Sequence, residues 1–345
     1  MSPAKDARPD TDGRGATGLD TAAFQKPLAG TAIVQAATTF GGLIATLAAM
    51  YVVAAHAWWL ALPLAPLAAG FLVRLFIIQH DCGHRSFFAT RRANDIMGFA
   101  CSLATMTPYA SWRRQHAGHH TMWNNLDRRD TGVDIYSTCL TVAEYHALPR
   151  WRRLGYRVSR NPIVTNLLLP PLIFTLLYRL PFDTPKAQRR ERRSVFVTNL
   201  ALIALFGGLG LALGFGEVLA VQLPVIALAA IIGVWLFSVQ HKAERTLWAR
   251  EAAWTRETAA LLGSTWLRLP RVLQWFTGSI GLHHLHHLNP RIPNYRLQRC
   301  CEAIPALRQA PSLSLRGGLA AMRYALWDEG LQRMVTFRAA GRAAA

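Results

Sequence analysis

Ten of the twelve histidines fall in four places: HDCGH at 80–84, HAGHH at 116–120, His241 within VQHK, and HHLHH at 283–287. Imidazole is a frequent metal ligand and changes charge near neutral pH, so clusters this dense point to chemistry rather than packing. On a helix, residues three and four apart share a face, which groups His80 with His84, and His116 with His119 and His120. The same rule groups His283, His286 and His287. His284 stands about 100° round the helix from His283 and leaves that face, so it reads as a packing residue or an outer partner of the ligands. With His241, the faces present nine imidazoles. A structural zinc site takes about four protein ligands and a catalytic one about three, so the count suits two ions with four or five nitrogens each. Imidazole serves Zn, Cu, Fe and Ni, and ligand type alone leaves the metal open. The Glu-x-x-His pairs of soluble di-iron bundles are absent. Asp81, inside the first box, is placed to accept the second ring N–H of a ligand and fix its orientation. Asp127, Asp130 and Asp134 follow the second box and are weaker candidates for the same task, with Arg128 and Arg129 as competing partners. His56 and His146 stand alone and are assigned no metal.

The elements that must carry these residues are written in the distribution of charge. The chain is 52% hydrophobic yet holds 38 Lys and Arg against 19 Asp and Glu, so apolar and charged residues are segregated. No charge occurs in 30–55, 194–215 or 218–239, and only Arg74 interrupts 58–79. Helices of 22 residues are about 33 Å long, enough to cross a hydrocarbon core of about 30 Å. The expected fold is therefore an all-α integral membrane protein with four transmembrane helices in two hairpins. Ile96–Met106 is too short to span. Ile163–Leu180 has Pro170 and Pro171 in its middle and basic flanks, and reads as an interfacial or re-entrant segment. The connections at 55–57 and 216–217 hold no Lys or Arg and are expected to face outward, which leaves both termini on the cytoplasmic side. All four histidine clusters then gather at the cytoplasmic ends of the spans, with the second and fourth spans as rigid carriers of His80, His84 and His241.

The net charge of +19 does not imply nucleic acid, because the cations flank the apolar runs, as in WRRLGYRVSR and KAQRRERR. There they set orientation and meet anionic lipid. Residues 1–25 lack an apolar core and read as a flexible cytoplasmic tail. The main domain is expected over 26–300. A cytoplasmic segment is expected at 301–345, with an amphipathic, interfacial helix expected near Leu313–Arg338. Cys82, Cys101, Cys139, Cys300 and Cys301 form no CxxC pair and are expected as free, packed thiols.

HDCGHRSFF, WRRQHAGHH, NLDRRDTG, FSVQHKAE and HHLHHLNPRIPNYRLQ together resemble the membrane fatty acid desaturase family, in its acyl-lipid Δ12 or ω-6 branch, over roughly residues 30–300. The resemblance implies a helical cytoplasmic cap that carries the boxes, and two non-haem iron ions (Fe2+) held by the nine histidines. It also implies O2 as oxidant and an acyl chain, carried on lipid, CoA or acyl carrier protein, that gains a cis double bond. Two departures stand out: Ser279 where this branch often has Asn, expected to alter a hydrogen bond near the third box, and Val133 inserted after the second box. No flavin, nicotinamide or haem-domain fingerprint occurs in the chain, so electrons are expected from an external ferredoxin or cytochrome. Arg113, Arg114, Arg128 and Arg129 are candidates to dock it. The rival within enzymes is a di-iron lipid or carotenoid hydroxylase or ketolase. A metal transporter would place polar ligands at the bilayer midplane, and a haem carrier needs only one or two axial histidines, so both fit the boxes poorly.

Overall fold

A computed structural model describes residues 19–129 and 138–343; Asp130, Val133 and Asp134, and residues 1–18 of the expected tail, lie outside the described residues. The chain enters through α1 (Ala29–Ala54), an uninterrupted apolar helix. The second span begins in 3-10 turns at Trp58–Leu64 and continues as α2 (Ala65–His84), so the first box ends a membrane helix. Pro63 and Pro66 account for the irregular start, since neither donates a backbone hydrogen bond. α2 stops where Arg85 turns into the left-handed region at φ 60°. Next, α3 (Arg91–Thr105), capped by the Thr90 hydroxyl, packs on α2, and α4 (Tyr109–Met122) carries the second box.

A short strand β1 (Leu140–Thr141) leads into α5 (Val142–Ala147), opened by a Thr141–Glu144 capping box. Then α6 (Arg150–Ser159) bends by 48° into the Val164–Arg179 stretch. That stretch is one π turn, α7 (Leu169–Thr175) and a 3-10 turn. Pro170 and Pro171 sit in the first turn of α7, where a missing N–H costs least. α7 packs on the fourth span, and Arg179 and Asn199 exchange hydrogen bonds at 3.0 and 2.7 Å. The remaining spans are α8 (Arg189–Leu213) and α9 (Phe215–Val239). The four helices that pass for spans match the four uncharged runs. The core shared by the first, second and fourth spans holds Met50, Ala65, Leu72, Leu75, Ile78, Val221 and Val225. Outward, Ile33, Val34, Ile44, Leu200, Ile203 and Leu211 are exposed, a lipid-facing surface that water would penalise.

Beyond α9 the cap is built from α10 (Arg256–Leu262), β2 (Trp266–Arg268), α11 (Arg271–Phe276), α12 (His283–Leu288) and α13 (Asn294–Ala303). Residues 313–338 do not form the expected amphipathic helix. They give β3 (Ser312–Ser314), α14 (Leu315–Ala321), β4 (Leu326–Asp328) and β5 (Arg333–Val335), before α15 (Phe337–Ala343). β3 lies parallel to β2, while β4 pairs parallel with β1 and antiparallel with β5. Two features defeat the helix. The Asp328 carboxylate accepts from Gly330 N at 3.0 Å and Leu331 N at 2.9 Å, which makes a turn. Trp327 is buried against Leu126, Cys139, Trp248 and Met334, which needs an extended chain. The C-terminal segment is thus part of the main body, and the expected boundary at 300 falls inside α13. At the other end, Thr21 is buried and accepts from Asn289 Nδ2 at 2.8 Å, so the chain is tied to the cap before residue 25. All five cysteines are buried and unpaired.

Trp327→Ala is expected to cost about 3–5 kcal/mol through the cavity it leaves, read as a fall in the thermal unfolding midpoint in detergent. A surface contact of the C-terminal segment would instead leave the midpoint in place.

Candidate metal centre

Each box is held by a different piece of the fold. His80 and His84 close the span α2, and His241 follows α9 directly. The second box is fixed where α4 ends: Asn124 Nδ2 donates to Leu247 O at 2.8 Å and Gly263 O at 2.7 Å, and Leu126 N donates to Ala249 O at 2.9 Å. The third box is the six-residue α12. A helix that short is marginal alone and is held by burial of Leu285 and by His284 Nε2–H donating to Leu307 O at 3.0 Å. His284 therefore turns away from the other imidazoles, and burial pushes its pKa down to about 4.

The nine remaining clustered histidines form two groups among the described residues: His80, His84, His116, His120 and His286 in one, His119, His241, His283 and His287 in the other. Boxes two and three are each divided. His116 and His120 stay together while His119 crosses to the second group; His283 and His287 stay together while His286 crosses to the first. In the first group, Nε2 atoms meet at 2.9 Å (His84–His116), 3.0 Å (His120–His286) and 3.1 Å (His80–His286 and His116–His120). In the second, they meet at 2.9 Å (His241–His283), 3.1 Å (His287 with His241 and with His283) and 3.3 Å (His119–His287).

This spacing has a simple physical meaning. Nitrogens about 2.1 Å from an ion and at right angles to one another stand about 3.0 Å apart. Burial, reinforced by neighbouring imidazoles, holds the pKa of His116, His120, His283, His286 and His287 well below the ordinary value, so these rings are neutral at neutral pH and offer lone pairs. The residues present fit two transition-metal ions, and an all-imidazole set is suitable for iron.

Outer contacts fix the first group. Asp81 Oδ1 accepts from His80 Nδ1–H at 3.1 Å, while Oδ2 accepts from the backbone and side-chain N–H of Asn294 at 2.6 and 2.8 Å. Asn294 begins α13, so the carboxylate also satisfies a helix N-terminus. Gln35 of α1 then donates to Asn294 Oδ1 at 2.9 Å. Asn294 and Gln35 escaped the sequence reading. Asn294 lies in the quoted HLNPRIPNYRLQ stretch, but neither residue has a spacing relation to the boxes.

Asp127 does not orient a histidine. It accepts from Arg250 Nη1 at 2.9 Å and Glu251 N at 2.8 Å, and these partners hold its pKa below the usual carboxylate range. The expected docking arginines are also committed: Arg113 to Asp95 at 3.5 Å, Arg114 to Asp183 at 2.9 Å, Arg128 to Glu251 and Arg129 to Glu144. They do not form an uncompensated positive patch. Ser279 has φ 58°, next to Gly278 at φ 52°. Asn and Gly favour this region, so the departure at 279 acts on the backbone, at a cost of about 1–2 kcal/mol.

A cavity of about 180 Å3 runs from the imidazoles into the membrane region between α2, α4, α7 and α9. Its walls include Leu72, Phe76, Ile173, Phe174 and Ile226, and it touches His80 and His116 of the first group and His119 and His283 of the second. Trp112 forms part of the wall and stacks on His116 with ring centroids 4.9 Å apart. One long apolar space therefore meets both groups, the arrangement required to present a hydrocarbon chain to two metals.

Asp81→Asn keeps the shape but turns an amide N–H toward the Asn294 donors, which misplaces His80. Metal affinity is expected to fall about 10–100-fold, measured by competition with a chelator, whereas Asp127→Asn leaves it unchanged.

Comparison with known proteins agrees with this geometry. The fatty acid desaturase family profile matches residues 57–315. A fatty acid desaturase of Bacillus subtilis is 40% identical over 318 residues, covering 92% of this chain and 89% of that protein. An sn-1 oleoyl-lipid 12-desaturase of Picosynechococcus is 26% identical, covering 72% of this chain and 70% of the relative. An sn-1 acyl-lipid omega-3 desaturase (ferredoxin) of Nostoc is 28% identical, covering 71% and 68%. With its membrane helices, its divided histidine boxes and these matches along most of its length, the chain belongs to the fatty acid desaturase family.

Proposed function

We propose that this desaturase introduces a cis double bond into an acyl chain carried on a membrane lipid, using two iron ions held by the nine clustered histidines. The observation that carries the reading is the single apolar cavity bordered by imidazoles of both groups. When bound, the metal pair supplies the O2 activation needed to remove hydrogen from an unactivated methylene, which acid and base side chains do not achieve. The protein's part is placement. α2 and α9 hold the cavity walls, Trp112 and Phe76 narrow it beside His80 and His116, and the burial of eight of the nine imidazoles, with His84 partly buried, keeps bulk water from the reacting carbons. Two hydrogens leave adjacent carbons, O2 is reduced to two waters, and the two further electrons come from an external donor with two protons from solvent.

Several finer assignments belong to the same proposal. The lipid-bound substrate and a ferredoxin-like donor are supported by the cyanobacterial relatives, an sn-1 oleoyl-lipid 12-desaturase and an sn-1 acyl-lipid omega-3 desaturase (ferredoxin). A Δ12 or ω-6 position rests on the motif resemblance and on the 12-desaturase names, while the Bacillus relative's name gives no position. The cytoplasmic placement of the histidines and termini rests on the uncharged connections at 55–57 and the single acid, Glu217, between α8 and α9.

The experiment is expression in a bacterium that lacks polyunsaturated fatty acids, beside a His119→Ala copy, with fatty acid methyl esters compared by mass spectrometry. A diene made by the unaltered protein and absent from the variant is the expected result, and its fragments give the bond position. A product heavier by one oxygen contradicts desaturation.

A further inference from the structure

The face of α9 that borders the cavity is made by Ile226, Ala229, Ala230, Gly233, Val234, Leu236 and Phe237. On the helical period of about 100° per residue these positions share one side of the helix, and Gly233 lies near the middle of that side. A Cβ at Gly233 meets nothing within 4 Å. Some glycines of the spans serve close packing: a Cβ at Gly42 would run into Phe71, one at Gly70 into Phe276. Gly41, Gly207 and Gly208 have open space like Gly233, but Gly233 is the one of these that lines the cavity, although glycine within a helix is less favourable than alanine by about 1 kcal/mol. What the missing side chain provides is space inside the cavity.

Its depth gives that space a use. Gly233 lies about 12 Å from His241 along α9, and Leu72 lies equally far from His80 along α2. The polar lining groups stay at the histidine end: Thr105 donates to Gln79 at 2.6 Å, Gln115 adjoins His116, and Gln240 adjoins His241. At the level of Gly233 and beyond it the α2 and α9 walls are Leu72, Ile226, Ala229 and Ala230, all apolar. An ester or headgroup there would lose its hydrogen bonds, so only the methyl end of a chain fits.

Resting on the acyl reading above, we infer that Gly233 sets how much of the acyl chain extends past the reacting carbons, and thus the chain length the enzyme prefers. A side chain at this position closes the deep part of the cavity and favours shorter chains.

The test uses the whole chain in a host supplied with monounsaturated acyl chains from myristoleoyl to oleoyl, comparing the unaltered protein with Gly233→Ala and Gly233→Leu. The readouts are the desaturated fraction at each length and the iron bound per purified chain. Gly233→Leu is expected to raise the ratio of short to long products about tenfold or more, the discrimination one or two methylenes carry in an apolar pocket. Gly233→Ala shifts it less in the same direction, with iron content unchanged in both. If the leucine variant fails to accumulate, the alanine variant decides, since its Cβ has room. An unchanged ratio, or a uniform loss at every length with iron retained, overturns the inference and leaves the desaturase reading in place. No desaturated product from the unaltered protein at any length overturns that reading and the inference together.

Discussion

Nine imidazoles packed in two groups with neighbouring Nε2 atoms about 3 Å apart make an arrangement that is unfavourable without a cation. Facing lone pairs repel, and burial removes the water that would otherwise separate them. Protonation offers little relief, because a charge in so dry a place is costly, as the lowered pKa values of His283 and His287 reflect. The rest of the structure serves to hold these rings in place against that repulsion. Two span ends supply rigidity from the membrane side, and α4 and α12 supply the remainder from the cap.

The division of the second and third boxes makes the two groups mechanically dependent on each other. On α4 the i and i+4 histidines serve one group and the i+3 residue serves the other; α12 repeats the pattern with the groups exchanged. Neither helix can shift without disturbing both groups. The same coupling extends outward through Asp81 to Asn294 at the start of α13 and to Gln35 on α1, so the first span, which carries no histidine, still bears on His80.

Much of this was legible in the sequence because its signals are local and periodic. The uncharged runs marked the spans, and helical spacing separated His284 from its neighbours, which the Leu307 hydrogen bond explains. The partition into two groups was not legible, since His283 and His286 share a helical face yet serve different groups. Long-range pairings were equally silent. Arg250 draws Asp127 away from the histidines across 123 positions of sequence, and Trp327 turns a presumed surface helix into a buried hairpin. Spacing within a segment carries no information about either. Ser279 stood out by its type, but its φ of 58° shows that the backbone is what the substitution affects.

Under the proposed function, each of the two histidine groups holds one iron. Protein purified without oxygen in lipid nanodiscs, with iron counted by elemental analysis and its environment read by Mössbauer spectroscopy, decides this. Two irons per chain in nitrogen-rich sites are expected, with the second signal lost in His283→Ala while the first is weakened through the shared α12. A chain that binds no metal under these conditions, or one that holds a single ion shared by all nine imidazoles, would contradict it.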